Sequence, residues 1–435
     1  MVSSMFGFAD GDDVKVKGDD GTDEGKKIGV VGDSLKIHQS NEATINVGQA
    51  NTDLFDRLSV AEDSPLWSFS HRYNAGQSLY WDTSASNGGT STINLDKVSA
   101  EIKNSTGSSD TIIYRTYRYY EYSKGRQQSF FFTVNPHGKV SGVTKEFGCF
   151  DDKNGAFFRI DGTTASFVIR SSTSGSPVET VVAQANFNKD KADGTTASGI
   201  DMGNWDKYNL FYIQFSWLGG NALEFGIFDD GARKIFHRFA FANVGAVAYT
   251  QSGHLPVNVQ MTNTSVQGSQ PQIDFSCVAI FNNGRQSNLG DVISVDTGAN
   301  EVTINTTETV LASIRMKSTE NRASIKPIGF DLLSPSGNST LYYKVVIGGT
   351  FTGDSWTAIP ESIAEGLDSY TTFTGGQIIQ SGYVQAGGSR DIQEILSDLY
   401  LGRKIDGSSQ PLSLVTRTIS SNAKILFSGR FREYK

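Results

Sequence analysis

The sequence predicts an all-β protein with two β-sandwich, jelly-roll-like domains, an extended N-terminal arm and one short C-terminal helix. Apolar and polar residues alternate in many short segments, and alternation places every second side chain on one face of a strand. Turn-forming pairs such as Asn154-Gly155 and Asp161-Gly162 separate these segments. The composition agrees, because 46 glycines and only 5 methionines are typical of turn-rich β architecture.

The length of 435 residues is too great for a single hydrophobic core. We therefore divide the chain into an extended docking arm over residues 1–50, a central β-sandwich domain over 51–287 and a C-terminal β-sandwich domain over 288–435.

The arm is polar, rich in glycine and aspartate, and contains two short segments with apolar residues, 13–17 and 26–37. Its apolar surface is too small to support folding alone. We expect the arm to order against a neighbouring subunit, and the alternative is a segment without fixed structure. The residues expected at this contact are Ile28, Val30, Leu35 and Ile37.

The central domain contains the clearest strand pattern, a predicted meander over 212–218, 223–227 and 234–241. In each strand the large apolar residues fall on one face. They are Ile213, Phe215 and Trp217, then Leu223, Phe225 and Ile227, then Ile235, Phe239 and Phe241. A meander buries such a face only when a second layer covers it, which predicts a sandwich. His237 is predicted to be a core or interface histidine.

Six short segments of the central domain resemble a module of virion structural proteins found in tailed bacteriophages and some large DNA viruses. They are Asn154-Gly155-Ala156-Phe157-Phe158, Asp161-Gly162-Thr163, Arg170-Ser171, residues 184–194, Phe215-Ser216-Trp217-Leu218-Gly219 and His254-Leu255-Pro256-Val257. The resemblance covers roughly residues 115–285, with a looser likeness to the C-terminus. Phe187 and Ala192 depart from it, since the module has Trp and Leu there. It implies a β-rich scaffold and a place in a virion, and it supplies no catalytic residues.

Residues 111–122 are unusually rich in aromatic side chains and predict one strand covered on both faces or lying at an interface. The tyrosines expected at such an interface are Tyr114, Tyr117, Tyr119, Tyr120 and Tyr122. The alternative functions for this segment are a sugar-binding or a nucleic-acid-binding aromatic platform.

A catalytic pair of carboxylates would come from Asp151, Asp161, Glu224 or Asp229, because glycosidases need two carboxylates about 5–10 Å apart. Three of the four lie in predicted turns, where aspartate is favoured for bonding the local backbone. Glu224 is expected to face solvent on a half-buried strand. We therefore predict that the protein is not an enzyme.

No cofactor or metal is expected. Residues 186–194 place oxygen-bearing side chains at alternating positions, which suggests calcium, but the segment lacks the glycine and glutamate that an EF-type loop uses. The two cysteines, Cys149 and Cys277, are expected to be buried free thiols, and their spacing does not require a disulfide.

The C-terminal domain repeats the β pattern, and its one persuasive helix covers 390–401 with Ser389 as the N-cap. Ile392, Ile395, Leu396 and Leu399 form the apolar stripe of this predicted helix.

The formal charge of −8 and the dispersed basic residues argue against a nucleic-acid partner. No segment approaches the ~20 apolar residues of a membrane span, and residues 1–7 do not have the features of a signal peptide, so we expect synthesis in a host cytoplasm.

Together, these features predict a structural component of a bacteriophage virion that binds copies of itself, as a trimer or higher ring, and neighbouring virion proteins. A tail or baseplate position is favoured over the capsid surface. The alternatives are a capsid-surface decoration or fibre protein and an adhesin that binds glycans of the host surface.

Overall fold

The computed structural model describes residues 14–15, 27–28, 63–73, 77–196, 198–217, 220–284, 290–335, 339–392 and 399–435. The contacts within the chain define two units, Met1–Thr52 and Asp53–Lys435. In the first unit, β1 (Val14–Lys15) pairs antiparallel with β2 (Lys27–Ile28), and Val14 lies opposite Ile28. Val30, Leu35 and Ile37 lie outside the described residues, so docking through the arm stays a prediction.

The first sandwich of the second unit is formed by residues 63–283. Its elements are β3 (Asp63–Ser70), α1 (Gln77–Tyr80), β4 (Trp81–Ala85), β5 (Thr90–Asn94), β6 (Ser99–Lys103), β7 (Thr111–Thr116), β8 (Gln128–Asn135), β9 (Val143–Phe150), β10 (Gly155–Asp161), β11 (Thr164–Ser171), β12 (Val178–Ala183), a 3-10 turn (Gln184–Asn186), β13 (Asn209–Phe215), β14 (Ala222–Asp229), β15 (Ala232–Ala240), β16 (Val257–Asn263) and β17 (Gln272–Asn283).

These strands form two sheets that pack face to face. One has the order β12-β11-β10-β9-β16-β7-β4, and the other has the order β15-β14-β13-β8-β17-β6-β5 with β3 also paired to β17. Aromatic rings from both sheets meet in one core, with the ring centroids of Phe147 and Phe211 4.9 Å apart and those of Phe158 and Phe225 5.4 Å apart. The predicted sandwich is thereby confirmed.

The predicted meander is present as β13, β14 and β15, which are neighbours in the eight-stranded sheet. Ile213, Phe225 and Ile227 lie in the core as their alternation predicts. In β15 the prediction is wrong, because an irregularity in its pairing with β14 puts Phe236 rather than Ile235 in the core. His237 is also buried, and its ring centroid lies 4.4 Å from that of Phe239. Burial lowers the pKa of His237 to about 4, so it is a neutral core histidine as predicted.

The second sandwich is formed by residues 291–434. Its strands are β18 (Asp291–Asp296), β19 (Val302–Ile304), β20 (Thr309–Met316), β21 (Ser324–Leu333), β22 (Leu341–Ile347), β23 (Thr350–Thr352), β24 (Ser355–Ala358), β25 (Ala364–Ser369), β26 (Thr372–Thr374), β27 (Gln377–Val384), β28 (Ser389–Ile392), β29 (Leu412–Thr418) and β30 (Ala423–Tyr434).

These strands form a sheet of order β18-β30-β21-β28, with β19 beside β30, and a sheet of order β24-β25-β20-β29-β22-β27. Phe330 and Ile425 of the first pack in one core with Tyr343 and Leu414 of the second. The fold class is therefore all-β with two sandwiches. Among the described residues, no helix is both long enough and apolar enough to span a membrane.

The prediction of a helix beginning at Arg390 is wrong. Ser389–Ile392 forms β28, which pairs with the edge of β21 and places Ile392 opposite Phe330. Ile392 is buried in the second core, and this pairing overrides the local helical pattern. Residues 393–398 lie outside the described part of the chain, and Leu401 forms an isolated β-bridge with Ile325.

The prediction of a single strand over 111–122 is also wrong, because β7 ends at Thr116. The side-chain hydroxyl of Thr116 accepts a hydrogen bond from the backbone of Val257 and donates one to the carbonyl of Arg118, which turns the chain out of the sheet. The following residues contact the second sandwich, since the backbone carbonyl of Tyr119 accepts a hydrogen bond from the side-chain hydroxyl of Ser324.

Charged side chains join the two sandwiches at this junction. Nη1 of Arg403 donates to the hydroxyl of Tyr119 at 3.1 Å and to Asp152 at 2.8 Å. Arg322 bridges the neighbouring carboxylates, with Nε 2.5 Å from Asp151 and Nη2 2.9 Å from Asp152. Burial acts to raise the pKa of Asp152, but the two arginines outweigh burial and lower this pKa to about 2. The junction therefore couples the two sandwiches through a partly buried ionic network.

Candidate functional site

The side of the eight-stranded sheet that faces away from the seven-stranded sheet carries a regular array of side chains, called here the outer face. It consists of three rows across the five adjacent strands β17, β8, β13, β14 and β15. In that strand order the rows are Cys277, Thr133, Leu210, Phe228 and Arg233; then Ala279, Phe131, Tyr212, Gly226 and Ile235; then Phe281, Ser129, Gln214, Glu224 and Arg238. Adjacent strands lie about 5 Å apart, so each row spans about 20 Å.

Aromatic rings form the centre of the outer face. The ring centroid of Phe131 lies 5.5 Å from that of Phe228 and 5.6 Å from that of Phe281. Tyr212 lies 5.5 Å from Phe228 in an edge-on arrangement. Phe131, Phe228 and Phe281 are only half-buried, so part of each of these apolar side chains is open to solvent outside the core.

A cleft of about 410 Å³ lies beside these rings, between β3 and β13. Phe131 and Leu210 line one side of the cleft. The cleft is open because several of its other lining side chains are small. The small and hydroxyl-bearing residues are Ser68, Ser70, Thr133, Cys277 and Ala279. An irregularity in the pairing of β17 with β8, between Phe275 and Cys277, places the thiol of Cys277 on this face.

The two cysteines therefore have different environments. Cys149 is fully buried in β9, and burial raises the pKa of its thiol. Cys277 is only half-buried, because it lies on the outer face beside the cleft, so the prediction that both thiols are buried is wrong for Cys277. Both are free thiols, as predicted.

A charged cluster occupies the β14–β15 side of the outer face. Nη1 of Arg233 and Nη1 of Arg238 each lie 3.9 Å from a carboxylate oxygen of Glu224. Arg233 also crosses the face and donates a hydrogen bond to the side-chain oxygen of Gln214. Burial raises the pKa of Glu224, although the two arginines act in the opposite direction. Glu224 faces outward as predicted, but it is 1% exposed rather than open to solvent.

The side chain of Tyr212 lies in the same cluster, and its position requires that residue 226 be a glycine. A Cβ atom at Gly226 would stand 2.8 Å from the Tyr212 hydroxyl oxygen and 2.0 Å from the backbone oxygen of Lys234, so any larger residue would clash. Within the described part of the chain, neither the buried Tyr212 hydroxyl nor Oε1 of Glu224 has a hydrogen-bonding partner. Two buried polar atoms in one place are thus available to a water molecule or a ligand group.

The tyrosines predicted from residues 111–122 have contacts inside the chain. Tyr114 stacks on Trp81 with ring centroids 4.5 Å apart, and its hydroxyl lies 2.9 Å from Nε2 of His71. Tyr119, Tyr120 and Tyr122 are also buried, and Tyr117 is half-buried at the junction between the sandwiches. A contact with another subunit through these residues stays a prediction, as does one through Ile28.

The structure does not bring the four predicted carboxylates together. Asp151 lies at the junction and accepts a hydrogen bond from Tyr119 at 2.9 Å, whereas Asp161 accepts one from Thr144 at the end of β10. Asp229 follows Glu224 by five positions in β14, which places it about 16 Å further along the strand. This separation exceeds the spacing of a glycosidase pair.

The segment that suggested calcium forms hydrogen bonds within itself. Asp190 accepts bonds from Thr196 at 2.6 Å and from the backbone of Ala192 at 2.8 Å. Asp193 accepts a bond from Thr195. Among the described residues, no group of three or more acidic, histidine or cysteine side chains is arranged to hold a metal ion.

No protein-family model matches this chain, and no curated protein matches it. Among solved structures, the carbohydrate recognition domain of Emp47p is 13% identical, covers 52% of this chain and 98% of its own, and has a TM-score of 0.33. A legume lectin-like domain from Entamoeba histolytica is 11% identical, with coverages of 51% and 98% and a TM-score of 0.31. A putative beta-glucanase from Mycobacterium abscessus is 8% identical, with coverages of 50% and 100% and a TM-score of 0.34. Similarities at this level carry no conclusion about the function of this chain.

Proposed function

We propose that this protein is a glycan-binding adhesin that holds carbohydrate on the outer face. The observation that carries the proposal is the 410 Å³ cleft, in which the ring of Phe131 stands beside the hydroxyl-bearing side chains of Ser68, Ser70 and Thr133. Binding sites for small ligands combine such an apolar wall with a few polar groups that orient the ligand.

A pyranose ring matches this arrangement chemically. Its C–H groups form an apolar face that packs on an aromatic ring, and its hydroxyl groups exchange hydrogen bonds with hydroxyl side chains around the ring. The half-buried rings of Phe228 and Phe281 extend the aromatic surface on either side of Phe131. A ligand of several sugar units therefore fits the outer face better than a compact metabolite does.

We propose that the bound glycan is not cleaved. Glu224 is the only carboxylate in the three rows of the outer face, and hydrolysis with a paired acid and base or nucleophile needs two. The role of this face in the proposal is therefore recognition.

Substitution of Phe131 by alanine is expected to weaken binding to the preferred glycan by about tenfold or more, since losing the packing surface of a ring costs about 1.5–3 kcal/mol. A glycan array would identify the ligand, and titration calorimetry would compare the variants. Tyr383→Ala is the matched control, because it removes a tyrosine that is 64% exposed on the second sandwich. Unchanged affinity in Phe131→Ala, or no glycan bound by the folded wild type, would contradict the proposal.

A place in a virion, with the tail or baseplate favoured, stays a prediction that rests on the sequence resemblance. A glycan-binding face suits such a place, because an adhesin on a particle attaches it to host-surface carbohydrate. Quantitative mass spectrometry of purified particles should then find the chain at a fixed multiple of a symmetry number. Its absence from the particles would remove the virion assignment and leave the glycan proposal intact.

A further inference from the structure

The charge of the outer face differs in sign from that of the protein. The whole chain has a formal charge of −8. The charged side chains of the three rows are Arg233, Arg238 and Glu224, two cations and one anion. The outer face thus attracts a negatively charged ligand even though the protein as a whole repels one.

The guanidinium of Arg238 is placed to bind such a ligand. Its Nη1 lies 3.9 Å from Glu224, which is an ion pair but too long for a hydrogen bond, and its side chain is 24% exposed. A guanidinium carries five N–H donors in a planar fork that fits the paired oxygens of a carboxylate or sulfate. Arg238 therefore retains donor capacity on the side open to solvent.

The unsatisfied groups beside the arginines are an independent indication of a ligand. The Tyr212 hydroxyl and Oε1 of Glu224 are buried, and neither has a hydrogen-bonding partner in the described part of the chain. Leaving such groups unpaired costs free energy, and a polar ligand group entering the cluster would recover it. A tyrosine hydroxyl can donate to an anionic oxygen, so Tyr212 suits the same ligand as Arg238.

Arg233 is also aligned with the cleft. One row of paired residues runs from the cleft across four strands. In order across the sheet it contains Thr133, Leu210, Phe228 and Arg233. Three strand spacings separate Thr133 from Arg233, a distance of about 15 Å. A single extended ligand can therefore occupy the cleft, pack on Phe228 and reach Arg233, which approaches Glu224 from one side as Arg238 does from the other.

We infer that the glycan bound by the outer face is anionic, and that Arg238, with Arg233 and Tyr212, holds its carboxylate or sulfate group. The inference rests on the proposed glycan-binding function and adds the chemical class of the ligand. Glu224 acts as a positioning residue, because its carboxylate lies between the two guanidinium groups.

The test compares ligand pairs that share a sugar backbone and differ in whether that backbone carries an anionic group. Oligogalacturonate and its methyl ester test a carboxylate, and dextran sulfate and dextran oligosaccharides test a sulfate. We expect one acidic member to bind about tenfold or more tightly than its neutral partner, and we expect only its binding to weaken as NaCl rises, because salt screens the attraction. This salt dependence is measured on the wild-type protein, so the result does not depend on whether a variant folds.

Arg238→Gln should lower the affinity for the acidic ligand and so remove the preference for it, and Arg238→Lys should restore part of both. Lys424→Gln, which removes a half-exposed positive charge from the second sandwich, is the matched control and should change neither. Equal affinity for acidic and neutral ligands would overturn the inference and leave the proposed function standing. If the folded protein bound none of the four ligands and no glycan on an array, the proposed function itself would fall.

Discussion

Replacing Arg403 by alanine is expected to destabilise the protein by about 1.5–3 kcal/mol, the range for hydrogen bonds to charged groups, and to separate its unfolding into two transitions. The expected loss is no larger because Asp152 is half-exposed and keeps its contact with Arg322. Asp152 would lose its contact at 2.8 Å, and the buried hydroxyl of Tyr119 would lose its contact at 3.1 Å. Since these residues belong to the first sandwich and Arg403 to the second, the two sandwiches should become less strongly coupled.

Differential scanning calorimetry and urea unfolding of Arg403→Ala would measure both effects. Arg430→Ala is the matched control, since Arg430 forms a half-exposed pair with Asp331 at 3.4 Å and such pairs contribute about 0–1 kcal/mol. Two-state unfolding of Arg403→Ala with wild-type stability would show that the junction does not couple the sandwiches.

The stability of the protein should fall as the pH decreases from 7 to 5, and His71 should account for about 2 kcal/mol of this fall. His71 is fully buried, with Nδ1 2.9 Å from the carbonyl oxygen of Ser276 and Nε2 2.9 Å from the hydroxyl of Tyr114. Burial lowers its pKa from 6.5 to about 4. Between these values the unfolded state binds a proton that the folded state does not, so acid favours unfolding.

The contribution of His71 is present above about pH 6.5 and is lost progressively as the pH falls from there to about 4. Free energies of unfolding at pH 7 and pH 5 would be measured for the wild type and for His71→Gln. The variant should have lower stability at both pH values but a smaller difference between them. His237, whose pKa is also lowered to about 4, contributes equally in both proteins and cancels in the comparison. An unchanged difference would show that His71 does not carry the effect.

Local alternation was sufficient to predict which side chains of β14 face the core. Phe225 and Ile227 are buried and Glu224 lies on the opposite face, because successive residues of any strand point to opposite sides. Alternation did not reveal that Glu224 is itself buried. That burial depends on Arg233 and Arg238, which lie on another strand.

Two predictions failed where a distant segment determined the local structure. The stripe over 390–401 has helical spacing, yet Ser389–Ile392 pairs with the edge of β21 some 60 residues earlier in the chain. The tyrosines after Thr116 alternate like a strand, yet hydrogen bonds from Arg403 and Ser324 draw Tyr119 into the junction. Neither partner can be identified from the segment itself.

The sequence by itself determined the all-β class, the division into sandwiches and the buried face of the regularly paired strands, because turn residues and period-two alternation act within a few neighbouring positions. The outer face was decided only by the tertiary structure. Phe131, Tyr212 and Phe281 belong to three strands far apart in the chain, and the order and register of the eight-stranded sheet bring them together with Arg238. Strand order and register depend on pairing between distant segments, which no local pattern encodes.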